Sequence, residues 1–299
     1  MRVSYIPDYF VELPPQHPFP MGKFPALHQI LLSEGLLQER EVVEPHEAAW
    51  EDLQLVHTSG YLEQLRGGLL NRAAQRKMGL PWSAALVRRS RLAVQGTLNA
   101  AVMALEDGVA ANLAGGTHHA FSGHGEGFCV LNDVAVSIRV LGFREQIKNA
   151  LVVDLDVHQG NGTAAIFADD AQTYTFSMHG EKNYPFQKMH SSRDVGLPNH
   201  IGDAGYLEKL EMHLPQVMDA AKPDLVFYLA GVDPVEGDRY GRMDLSREGL
   251  HLRDRLVLQR VREWGVPLVL LMSGGYAPTP WATADLHAVV HREAERIFG

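Results

Sequence analysis

The chain has 299 residues, 45% of them hydrophobic and 21% charged, with a formal net charge of −9. This is a globular composition with room for a large α/β core, and the acidic balance argues against general nucleic-acid binding, which needs a basic face. The lone cysteine, Cys129, excludes an internal disulfide and a cysteine-based zinc site. There is no basic-then-apolar leader pattern and no run near the ~18 apolar residues of a membrane span. The expected setting is therefore the cytoplasm, with neither nucleic acid nor membrane as partner.

In chain order, residues 2–6 predict a short strand, 14–20 a proline-rich loop and 24–34 a helix. Residues 83–106 carry apolar side chains at helical spacing with no internal proline. Residues 109–113 form a short apolar run ending in Gly115-Gly116, and residues 132–141 read as a helix. The runs 150–155, 173–178, 225–230 and 267–272 are short and continuously apolar, the pattern of strands buried on both faces of a parallel sheet. Helical segments at 206–221 and 246–264 lie between them. Neither an internal repeat nor a composition break divides the chain, so residues 1–299 read as one α/β domain.

The polar residues gather where this architecture expects a site. VVDLDVHQGNG (152–162) runs from an apolar strand into Asp154, Asp156 and His158, which share one face while the chain stays extended. Such groups at the end of a buried strand are costly to desolvate, and a metal ion or a hydrogen-bonded catalytic cluster would compensate them. His118-His119 follow the 109–113 strand, Asp233 follows 225–230, and Tyr276 follows 267–272 through Ser273-Gly274-Gly275. In an open parallel sheet those carboxyl ends share one edge, which is where ligands bind. Each residue alone has a plainer reading: a capped turn, a polar loop, a packed aromatic. Their coincidence after four strand ends is the signal.

AGGTHHAFSGHGEGFCVLND (114–133), VVDLDVHQGNG (152–162), AGVDP (230–234) and SGGY (273–276), in this order, resemble the zinc-dependent histone deacetylase family. HPFPMGK (17–23), the Tyr184-Pro185 pair and AGVDPVEGDRYG (230–241) look most similar to its class IV branch and bacterial relatives. The resemblance implies a three-layer αβα arginase/deacetylase fold with a mainly parallel sheet. It also implies Asp156, His158 and Asp233 as ligands of Zn²⁺, with Fe²⁺ or Co²⁺ as alternatives for so oxygen-rich a set. His119 then becomes the general base, His118 its charge-stabilising neighbour and Tyr276 the oxyanion donor, with Asp154 orienting His118 and Asn161 facing His119.

Further implied roles are a tunnel walled by Gly127, Phe128 and Tyr184, and a K⁺ or Na⁺ site from Asp154, Asp156, His158, Ser177 and Met178. Lys23 takes the place of an internal-channel arginine. MGLPWS (78–83) lacks the carboxylate with which class I enzymes grip a peptide backbone. The expected activity is removal of an acyl group from lysine, with an acetylpolyamine or other small amide as the alternative substrate. A silent acyl-ligand binder would have no need of the intact His118, His119 and Tyr276. Gln159-Gly160-Asn161 stand where an arginase-like second metal would need carboxylates.

Overall fold

A computed structural model describes residues 1–299. The elements in chain order are β1 (Val3–Ser4), α1 (Lys23–Ser33), β2 (Val42–Val43), α2 (Trp50–Gln54), α3 (Ser59–Gly67), α4 (Arg72–Met78), α5 (Ala84–Asp107), β3 (Val109–Asn112) and α6 (Asp133–Phe143). There follow β4 (Ala150–Asp154), α7 (Asn161–Ile166), β5 (Thr173–Gly180), β6 (Arg193–Leu197), α8 (Asp203–Ala221), β7 (Leu225–Leu229), α9 (Arg247–Trp264), β8 (Leu268–Leu271) and α10 (Pro280–Phe298). The eight strands form one sheet in the order β2-β1-β3-β8-β7-β4-β5-β6, and every neighbouring pair is parallel.

Strands β3, β4, β7 and β8 are buried along their whole length, as their apolar runs require, and β3 and β4 end on the buried polar residues Asn112 and Asp154. Helix α5 packs on β3 and β8 and against α6, while α8, α9, α10 and α1 pack in succession, with α8 reaching β4 and β5. Helices thus flank the sheet, and the three-layer α/β expectation holds. Helices α5, α6, α9 and α10 begin on polar caps: Ser83, Asn132, Ser246 and Thr279 each accept a backbone N–H from three residues on. No helix is long and apolar enough to cross a membrane.

The sheet order explains the clustering of the motifs. The four strands that precede them, β3, β8, β7 and β4, are consecutive neighbours. Their last residues are in register: Asn112 opposite Leu271, Leu271 opposite Leu229, and Leu229 opposite Asp154. Four loops therefore leave the sheet side by side and at one level.

Candidate active site

Asp156 and His158 follow β4, and Asp233 follows β7. All three are buried, and their potential ligand atoms lie within 4.8 Å of one another. Nδ1 of His158 is 3.0 Å from Oδ1 of Asp156 and 3.1 Å from Oδ2 of Asp233. Protein donors fix the carboxylates from outside. Oδ2 of Asp156 accepts from Ser273 Oγ at 2.8 Å and from the Gly274 N–H at 2.6 Å, and Oδ1 of Asp233 accepts from the Val157 N–H at 2.9 Å. Gly274 has no alternative, because a Cβ there would sit 2.1 Å from Oδ2 of Asp233. Burial first and then the charge of Asp156 push the Asp233 carboxyl up, a penalty that His158, bridging the two carboxylates, offsets only in part. A divalent cation would remove that penalty. The donor set of two carboxylates and one imidazole fits zinc, and fits iron(II) or cobalt(II) as harder ions.

The two histidines after β3 are oriented by different partners. Nδ1 of His118 is 2.7 Å from Oδ2 of Asp154, the last residue of β4. Nδ1 of His119 is 2.7 Å from Oδ1 of Asn161, the first residue of α7. The environments drive them apart. Burial works to lower His118, but the charges of Asp154 and Asp156 outweigh it and raise the imidazole to about 9. Burial, with His118 and His158 beside it, holds His119 well below 6.5, against the opposing hydrogen bond that its Nδ1–H donates to Asn161. The two imidazoles are thus driven in opposite directions, the kind of split that assigns separate acid and base roles.

Tyr276 closes the site from β8. Its backbone N–H donates to Oδ2 of Asp238 at 2.7 Å, and its ring packs edge-on against Tyr240 with centroids 4.9 Å apart. Burial, reinforced by Asp233 and Asp156, pushes its phenol well above 10, so it remains a donor. An open mouth of about 290 Å³ leads inward past Gly127, Phe128, Tyr184, Tyr240 and Tyr276 to His119 and His158, with Arg76, Lys77 and Gly79 at its lip. A second cavity of about 40 Å³ is lined by His118, His119, Asp156, His158 and Tyr276 together with Phe19, Phe24, Arg89, Cys129 and the Gly115–Thr117 loop. Gly127 packs so tightly on His119 that a Cβ would come within 2.6 Å of Cδ2 of the imidazole. Phe128 holds φ 66, a left-handed conformation rare for an aromatic residue, fixed by its N–H donating to the Met78 carbonyl at 2.8 Å.

Comparison with known proteins agrees with this geometry. The histone deacetylase domain profile matches residues 17–291. The chain belongs to the histone deacetylase family. It is 47% identical over 298 residues to an uncharacterized protein of Picosynechococcus, covering 99% of each chain. It is 34% identical over 284 residues to histone deacetylase 2 of Arabidopsis thaliana, covering 89% of this chain and 71% of the relative. Among solved structures, an HDAC homologue from Aquifex aeolicus and an HDAC homologue in complex with SAHA each superpose with a TM-score of 0.82 at 27% identity, covering 99% of this chain and 84% of the other.

The structure brings His118, His119, Asp154, Asp156, His158, Asn161, Asp233, Tyr276, Gly127, Phe128 and Tyr184 to one place. Ser177 lies opposite Asp154 in the β4–β5 register, with Met178 next to it, and its Oγ is 2.9 Å from Nδ1 of His179. Lys23 is buried and donates to the Ser273 carbonyl at 2.9 Å. Burial lowers it to about 8. It sits behind the Ser273 loop, and it is the guanidinium of Arg89, from α5, that lines the internal cavity. Sequence reasoning passed over Arg89, Ser273, Tyr240 and Glu126. Glu126 is the only acidic residue between Ala114 and Asn132, and that isolation among glycines was the available signal.

Proposed function

We propose that this protein is a zinc-dependent amidohydrolase that removes a short acyl group, acetyl above all, from the amine of an acyl-lysine side chain, in a single catalytic domain spanning residues 1–299. The observation that carries the reading is the His118/His119 pair beside the Asp156–His158–Asp233 cluster, with His118 held by the carboxylate of Asp154 and His119 by the amide of Asn161. Asp156, His158 and Asp233 would hold the zinc ion. When bound, it supplies polarisation of the amide carbonyl and a lowered pKa for a coordinated water. A K⁺ or Na⁺ ion near Asp154, Asp156, His158, Ser177 and Met178 would be structural.

The chain's own groups supply the proton transfers. His119 donates its Nδ1–H to Asn161, which leaves the Nε2 lone pair free to take the proton of the attacking water and later to give it to the leaving amine. His118, kept cationic by Asp154, stabilises the negative charge that develops as the carbonyl carbon becomes tetrahedral. Tyr276 donates its phenolic proton as a hydrogen bond to the same oxygen. Gly127, Phe128 and Tyr184 wall the tunnel against the substrate's alkyl chain and exclude water from it.

Two observations bear on substrate. The mouth is lined by Arg76 and Lys77 and by no carboxylate, which disfavours the cationic tail of an acetylpolyamine. The cavity bounded by His118, His119, Asp156, His158 and Tyr276 has space for a few waters, room for an acetyl group and not for a long acyl chain. The buried thiol of Cys129 and the lack of other cysteines suit a reducing, cytoplasmic setting.

The test is a substrate panel with the zinc-reconstituted protein: acetyl-lysine peptides, long-chain acyl-lysine peptides and acetylated spermidine, each also with Arg76→Glu. Faster turnover of acetyl-lysine peptide than of the other two is expected, with Arg76→Glu improving the polyamine. Turnover confined to the polyamine would move the function to small-molecule metabolism.

A further inference from the structure

His119 is one end of a chain of hydrogen bonds that does not stop at Asn161. The amide of Asn161 accepts from Nδ1 of His119 through Oδ1 and donates through Nδ2 to Oε1 of Glu126 at 3.0 Å. The same Oε1 accepts from the Tyr184 hydroxyl at 2.6 Å, and Oε2 pairs with Nζ of Lys77 at 3.0 Å. His124, stacked on Phe121, faces Oε2 at 3.3 Å. Glu126 is 7% exposed. Burial works to raise its carboxyl, but the bonds from Tyr184, Lys77 and Asn161 outweigh it and keep it ionised.

A side-chain amide can turn over, exchanging its oxygen and nitrogen, and only its partners decide which way it faces. An ionised carboxylate is acceptor-only, so it binds the NH₂ end of Asn161 and repels the oxygen end. We infer that Glu126 is a positioning residue for the general base: by holding the nitrogen of Asn161 it aims Oδ1 at His119 and so selects the Nδ1–H tautomer of that imidazole. If Asn161 were reversed, its NH₂ would donate to Nδ1 of His119, the proton would move to Nε2, and the lone pair required for the water would be lost. A glutamine at 126 removes the preference: with its oxygen kept toward Lys77 it presents an NH₂ toward Asn161, whose own amide can then turn so that its oxygen accepts.

This inference rests on the amidohydrolase reading for its kinetic arm only. The experiment compares zinc-loaded wild type, Glu126→Gln, Asn161→Ala, the double variant and Tyr184→Phe, by turnover of an acetyl-lysine peptide and by ¹⁵N NMR of histidine-labelled protein, with His119 assigned by His119→Ala. Glu126→Gln is expected to lower kcat roughly 10- to 100-fold with KM within about twofold, and to add nothing further in the Asn161→Ala background. The His119 signal should change from a pure Nδ1–H tautomer to a mixture in Glu126→Gln. It should remain unmixed in Tyr184→Phe, which cuts only the bond to the tunnel wall. An unmixed tautomer in Glu126→Gln, or losses that multiply in the double variant, would overturn the inference. If no acetylated amide is turned over, the deacylase reading fails while the tautomer measurement still decides the role of Glu126.

Discussion

His118 and His119 are adjacent in the chain and their rings lie 4.1 Å apart, centroid to centroid, yet one faces a carboxylate and the other an amide. That difference drives their pKa values apart: the charges of Asp154 and Asp156 raise His118 against its burial, whereas burial and the neighbouring His118 and His158 lower His119 and the neutral amide of Asn161 opposes this only weakly.

The acid limb of the pH–rate profile reports His119. Its pKa is lowered, so the neutral base persists above the lowered value and is lost only as pH falls through it. The kcat/KM of the zinc enzyme for an acetyl-lysine peptide should therefore hold near its plateau as pH drops through 6.5. A limb centred at or above 6.5 would show that His119 is not held neutral as described.

Asn161→Asp alone should raise that limb, since a carboxylate favours the imidazolium. The structure adds a complication: the new carboxylate would face Oε1 of Glu126, where Asn161 now donates at 3.0 Å. The single variant should lose stability, and adding Glu126→Gln should restore it while keeping the raised limb. Thermal melts and pH profiles of the two variants check this.

Asp154→Asn removes the largest influence that raises His118 to about 9. The basic limb, where His118 gives up its proton as pH rises, should move to lower pH, and kcat should fall about 10- to 100-fold with a smaller change in KM. Steady-state kinetics across pH 6 to 10 measure both.

Ser273→Ala removes a hydroxyl that donates to Oδ2 of Asp156 at 2.8 Å and leaves the three ligands in place. Zinc affinity should drop roughly tenfold, read by competition with a chromogenic chelator.

Gly127→Ala puts a Cβ 2.6 Å from the His119 ring at a φ of 55. It should cost about 1–3 kcal/mol of stability and displace the base, lowering both Tm and kcat.

Much of this was readable in the sequence because parallel strands buried on both faces leave unmistakable apolar runs. The residues after 109–113, 150–155, 225–230 and 267–272 could be placed at one edge without coordinates. Boundaries shifted by one to three residues, as at β8 and α8. Strand β6 escaped because it lies at the edge of the sheet, where Arg193 and Asp194 break the apolar pattern. The short helices α2, α3 and α4 lack enough turns to show a period. Glu126 and Arg89 escaped for another reason: their importance comes from partners distant in sequence, Asn161 and Tyr184 for the first and the Phe24 ring for the second. Lys23 sits in the right neighbourhood, but its ammonium is taken up by the Ser273 carbonyl.

The central claim is that a neutral His119 beside a metal held by Asp156, His158 and Asp233 hydrolyses an acylated amine. The most direct test is release of acetate from an acetyl-lysine peptide by the metal-stripped protein, the protein reloaded with one equivalent of zinc, and reloaded His119→Ala. The account predicts turnover only in the reloaded wild type, with the variant binding zinc equally well and losing at least about 10²-fold in rate. Undiminished turnover in the stripped protein or in His119→Ala would contradict it.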